Sequence, residues 1–172
     1  MDFASLQEMN PDIYAWLYIP ETDISYPILQ SGDGDDEFYL NHDSTGKSSR
    51  DGSIFTQGVY NAKDFNDPVT LVYGHHMRSG AMFGNLQEIY SAQGGLKAHQ
   101  AIVVYLPDRE LRYQVFAAVP HDMRHILYEK YYEIFAAAFC QSICNGLLRM
   151  FPVCRRVAVR KAGCAGEQGH HF

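Results

Sequence analysis

Apolar positions change period several times along this chain, and each change marks an element. Between residues 3 and 16 they fall at Phe3, Leu6, Met9, Ile13 and Trp16, the spacing of one helix face, with Pro11 as an interruption. Proline also suits a first helical turn, so Pro11 after Asn10 could equally open a second short helix. The pattern then turns to alternation. Trp16 and Tyr18, then Ile24, Tyr26 and Ile28, stand among more polar neighbours on either side of P-E-T-D, which predicts two short strands joined by a turn. An acidic loop, S-G-D-G-D-D-E, runs into a helical turn at F-Y-L-N-H-D. Residues 53–56 begin another strand, and P-V-T-L-V-Y-G is the next. Met82, Phe83, Leu86 and Ile89 share one side of a short helix. A-I-V-V-Y-L and L-R-Y-Q-V-F-A-A-V form a hairpin around Pro107 and Asp108, with Leu111, Tyr113 and Val115 on one face. From residue 125 to about 148 the spacing is helical, and residues 156–160 form the last predicted strand.

Many short strands with interleaved short helices predict a mainly β fold, closed or nearly closed into a barrel. A doubly wound sheet would place a helix between successive strands, and residues 101–119 have none. The 172 residues suffice for one core, so a single domain is expected over residues 1–163, with 164–172 as a disordered tail.

Composition narrows the class. At 47% hydrophobic and 20% charged residues the chain is globular, and its net charge of −6 gives no support to nucleic-acid or anionic-membrane binding. No run of apolar residues is long enough for a membrane span, and the first residues do not read as a signal peptide. The four cysteines, Cys140, Cys144, Cys154 and Cys164, all lie beyond residue 139. Charge changes at the same place: residues 1–139 hold 19 Asp and Glu against 9 Lys and Arg, and residues 140–172 hold 1 against 5. A cysteine-free body with a cysteine-rich end does not resemble a disulfide framework.

Candidate chemistry begins at G-H-H, residues 74–76, directly after an apolar strand. The alternatives are a turn with solvated imidazoles or a histidine set at a strand end for proton transfer. Gly74 suits either a tight turn or a close approach to the backbone. No third ligand at zinc-like spacing accompanies His75 and His76, so neither a metal nor a cofactor is expected. The acidic residues 33–37 lack the ligand spacing of a calcium loop and read as a solvated turn with a helix-capping Asp. For a nucleophile, no G-x-S-x-G turn exists. Cys140 and Cys144 fit small buried positions on a helix, and Cys164 falls in the tail. Cys154 precedes Arg155 and Arg156, whose guanidinium groups would favour a thiolate and could donate to an oxyanion. Strand alternation lets only Arg156 share the Cys154 face.

Several of these segments together resemble a class B sortase, a cysteine transpeptidase of Gram-positive surfaces. N-P-D-I-Y-A-W-L-Y-I-P-E-T-D-I-S-Y-P-I-L-Q is similar to that family's opening helix and first strands, with F-Y-L-N-H-D and D-G-S-I-F following in order. V-Y-G-H-H-M-R-S-G-A-M-F-G-N-L is similar to the segment around the family's catalytic histidine, which makes His75 the matched residue. The resemblance implies a β-barrel with short helices, no cofactor, and a place on the extracellular face of the cell membrane. It implies a cysteine that attacks a backbone carbonyl in a sorting signal of the LPxTG or NPxTN type and forms a thioester. An amine of a peptidoglycan precursor, or of another surface protein, then resolves it. Histidine serves as acid and base, and arginine holds substrate or oxyanion.

The match is good over residues 1–135 and diverges over 136–163. The family's T-L-x-T-C motif is absent. R-R-V-A-V-R-K resembles the opening of the family's last strand, which makes Arg156 the matched arginine, with Cys154 only two positions before it. Either a frameshift or deletion replaced the native C-terminus and left the barrel short of its last strands, or the barrel is a divergent one in which F-P-V-C stands in for the motif. The expected site is therefore His75, Cys154 and Arg156. The alternatives are a sortase-shaped peptide-binding module without turnover and, last, a zinc hydrolase using the histidine pair.

Overall fold

Helix α1 (Phe3–Met9) starts at Asp2, whose carboxylate accepts the Ser5 amide at 3.2 Å, and stops at Asn10, whose N–H donates to Leu6 O at 3.0 Å. The Asn10 side chain then accepts the Asp12 amide at 3.0 Å, so Pro11 sits in a turn and opens no second helix. Residues 13–18 are extended.

In the computed structural model, which describes residues 1–67, 69–120, 147–152 and 155–161, the sheet closes into a barrel. Its described strands are β1 (Ile13–Tyr18), β2 (Ser25–Leu29), β3 (Ile54–Phe55), β4 (Val69–Gly74), β5 (Ala101–Tyr105), β6 (Glu110–Pro120), β7 (Leu147–Pro152) and β8 (Arg155–Lys161). They run in the order β1-β2-β3-β4-β7-β8-β6-β5. Most neighbours are antiparallel. The exceptions are β2 with β3 and β4 with β7, which are parallel. A short 3-10 turn at Phe38–Leu40 and helices α2 (Leu86–Ser91) and α3 (Gly95–Ala98) fill the connections.

Alternation sets the barrel interior. Ile28, Ile54 and Val72 point into the main core with Phe83, Ile102 and Val104, while the next residues along β2 and β3, Leu29 and Phe55, join an outer cluster with Ile13 and Tyr39. The turn at 38–40 and Leu6 of α1 pack on this outer cluster. In β1 the inward residues are Ala15 and Leu17, followed by Ile19, whereas Trp16 and Tyr18 are only half-buried. The indole N–H donates to Ser25 Oγ at 3.0 Å on the outer side, a bond an all-apolar interior would deny it. Leu111, Tyr113 and Val115 are buried as the alternation predicts, as are Phe83 and Leu86, although regular helix begins only at Leu86.

The predicted helix over 125–148 lies outside the described residues except at Leu147 and Leu148, which belong to β7. Among the described residues two strands, not one, follow the divergence, and both belong to the closed sheet.

Candidate active site

Gly74 ends β4 because no Cβ fits there. An added methyl would meet Ile54 Cδ1 and, at 2.7 Å, the Phe83 ring. Of the two uses suggested for this glycine, close approach is the one realised, and the approaching groups are the protein's own core. His75 follows, half-buried, where the chain leaves the sheet. Its carbonyl accepts the Phe83 amide at 3.0 Å and His76 bridges to Met82, so residues 75–83 close a short loop on the strand end. Tyr26 Oη accepts the Met82 amide at 3.0 Å and ties that loop to β2.

The imidazole of His75 has a defined partner: Nε2 lies 2.7 Å from the carbonyl oxygen of Leu40. A carbonyl can only accept, so Nε2 carries hydrogen and Nδ1 holds the lone pair in the neutral ring. Gly52, at φ +56°, lies against this contact, with an added Cβ falling 2.5 Å from Leu40 O and 3.0 Å from His75 Cδ2. Neither Leu40 nor Gly52 was singled out from sequence as part of a site. A main-chain carbonyl carries no side-chain signature, and D-G at 51–52 signals only a turn.

Strand register adds the other side. β4 and β7 are parallel with Gly74 opposite Pro152, so His75 leaves the sheet at the end where β7 finishes. β8 turns back antiparallel to β7, and its second residue, Arg156, pairs with Val119 near the end of β6. His75 and the backbone of Arg156 thus lie at one end of the barrel. Cys154 falls outside the described residues; in sequence it comes two positions after Pro152 and two before Arg156. Cys140, Cys144 and Cys164 fall outside them as well.

Other polar residues singled out in the sequence serve the fold. His42 stacks on Phe38 with ring centroids 3.8 Å apart, and its Nδ1 is 2.7 Å from Phe38 O. In the acidic loop, Asp35 accepts the Glu37 amide at 3.1 Å at the entrance to the 3-10 turn, and Asp36 accepts the Gly58 amide at 2.5 Å. Both are turn-forming contacts.

The sortase-domain family model matches residues 17–137. Sortase B of Listeria monocytogenes is 42% identical over 98 residues, 57% of this chain and 38% of that protein. Sortase B of Staphylococcus aureus is 34% identical over 116 residues, 67% of this chain and 46% of that protein. The chain thus matches less than half the length of either curated relative. Among solved structures, a Staphylococcus aureus sortase B–substrate complex superposes with a TM-score of 0.72 at 25% identity, covering 92% of this chain and 83% of that one.

Proposed function

The chain belongs to the sortase family, and on that premise we propose that it is a class B cysteine transpeptidase acting on a C-terminal sorting signal of the LPxTG or NPxTN class. In this reading the Cys154 thiolate attacks the scissile carbonyl, and the Arg156 guanidinium donates to the oxyanion that develops. As the tetrahedral intermediate collapses, the peptide C–N bond breaks, the His75 imidazolium protonates the departing amine, and a thioester remains on the cysteine. The acceptor, an amine of a peptidoglycan precursor or of another surface protein, gives its proton to His75 as it attacks the thioester. The thiolate then leaves and the new amide is complete.

One observation carries this reading. His75 immediately follows Gly74, and the register partner of Gly74 is Pro152, two residues short of the cysteine. Parallel neighbours end side by side, so His75 leaves the sheet beside the end of β7, and the cysteine follows that end by two positions in sequence. The site would work on the extracellular face of the cell membrane, where sorting signals and cell-wall amines meet. No helix among the described residues is long and apolar enough to cross a membrane. The missing T-L-x-T-C favours a second reading, a peptide-binding module without turnover.

Intact mass spectrometry after incubation with a sorting-signal peptide, with no amine acceptor, separates the two. The expected result is an acyl adduct that maps to Cys154. His75→Ala should slow its formation by roughly 10²–10⁴-fold. A folded chain that binds the peptide but never acquires the adduct, and whose binding survives cysteine alkylation, would establish the binding module instead.

A further inference from the structure

Resting on the reading of His75 as the acid–base group, the geometry points to a positioning assembly for its ring: Tyr39, the Leu40 carbonyl and Gly52 hold the imidazole in one tautomer, with Nδ1 as the nitrogen that exchanges the proton. The contact itself is the 2.7 Å approach of Nε2 to Leu40 O. What fixes that carbonyl is the 3-10 turn carrying it, closed by Leu40 N donating to Glu37 O at 2.9 Å.

The turn is in turn held by Tyr39. The residue is 2% exposed, its hydroxyl donates to Asp12 at 2.8 Å, and the same oxygen accepts from Asn10 Nδ2 at 2.9 Å. Tyr39 O accepts the Ser53 amide at 2.9 Å, which brings residue 52 beneath the turn. There a side chain would collide with all three parts. A Cβ on Gly52 would lie 2.5 Å from Leu40 O, 2.8 Å from Tyr39 O and 3.0 Å from His75 Cδ2. A residue at φ +56° also favours glycine on backbone grounds. Both demands at position 52 follow from the same convergence, so F-Y-L and D-G-S-I-F, separated in the chain, work as one support.

Such support matters because a neutral histidine free to exchange tautomers would present the wrong nitrogen to the incoming amine part of the time. Ring partners that fix the tautomer are the usual means of preventing this. Tyr39 and Gly52 act through His75 and touch no substrate, so they are positioning residues.

Two-bond 15N–1H correlation spectra of the whole chain, with the ring assigned among the eight histidines by comparison with His75→Gln, read the tautomer directly. The expected wild-type signature above the imidazole pKa is a single form protonated at Nε2. Gly52→Ala and Tyr39→Phe should each populate the Nδ1–H form in protein that still unfolds cooperatively. Should Gly52→Ala fail to fold, Tyr39→Phe decides, since it keeps the ring and removes only the hydroxyl. A wild-type ring that is mixed, or protonated at Nδ1, overturns the proposal, as does a tautomer unchanged in every folded variant. Loss of the cysteine adduct would refute the transpeptidase reading without altering these spectra, so the two failures are distinct.

Discussion

At position 74 a single methyl group decides whether the core and the strand end can coexist. Gly74 has an ordinary backbone conformation, so its glycine identity comes from crowding by Ile54 and the Phe83 ring and not from a turn. Gly74→Ala should therefore cost about 1–3 kcal/mol, the usual penalty for overpacking a filled interior, measured by urea unfolding. Gly58→Ala is the control, because a Cβ there meets nothing closer than Asp36 Oδ1 at 3.4 Å, and a change within about 0.5 kcal/mol is expected. Equal losses at both positions would refute the crowding account. The sequence made Gly74 and His75 conspicuous because both clues, apolar strand and G-H-H, are local. It could not say which use of glycine was at work, since Phe83 arrives from nine positions downstream.

Strand β4 carries the histidine, and its edge on the β3 side is finished by a side chain. β3 is only two residues long and pairs with β4 at Phe55 and Tyr73 alone. Below that pair the Asn61 amide takes over, accepting the Leu71 N–H at 2.8 Å and donating to Val69 O at 2.6 Å, as a neighbouring peptide group would. Gln30 Nε2 donates to Asn61 O at 2.8 Å and fixes the segment from β2. Asn61→Ala removes partners from two backbone groups of a buried strand. The expected loss is at least about 2 kcal/mol, with faster hydrogen exchange at the Leu71 amide. Unchanged exchange there would mean that the strand edge is held by something else. Element types were legible wherever alternation was clean, as in β6; at N-P-D helix and turn both stayed open, and the Asn10 side chain accepting the Asp12 amide decides for the turn. The helical spacing that runs to about residue 148 takes in Leu147 and Leu148, which instead begin a strand. That strand is β7, set between β4 and β8, and its six residues hold no strict apolar–polar alternation, so a period of two has nothing to detect there.

Across the whole molecule, sequence gave the barrel class because many short strands leave few other closed arrangements. The assembly around His75 was less legible, because Leu40, Gly52 and Pro152 reach it through packing and register that only the closed sheet defines. Packing also buries phenols, with Tyr14, Tyr90 and Tyr113 in the main core and Tyr39 in the outer cluster, which sets how the protein should meet alkali. Burial drives the Tyr39 hydroxyl up from 10.0 to about 12, and burial raises Tyr14, Tyr90 and Tyr113 as well. Each raised phenol keeps its proton in the folded chain at a pH where the unfolded chain has lost it. Stability from these groups is thus complete below about pH 10 and falls as pH rises through the folded values, because the native state then binds more protons. Urea midpoints should be level from neutral pH to about 9 and decline steeply above about 10. Tyr39→Phe and Tyr14→Phe should each make that decline shallower, by removing one of the protons that couples to unfolding. Tyr14→Phe has the cleaner consequence, since among the described residues Tyr14 Oη hydrogen-bonds only Thr56 Oγ1, at 2.8 Å, and that hydroxyl keeps Gln30 Nε2 as a donor. An alkaline profile identical in wild type and both variants would show that the interior opens before its tyrosines titrate, and that cohesion of the barrel, not its buried phenols, limits the protein at high pH.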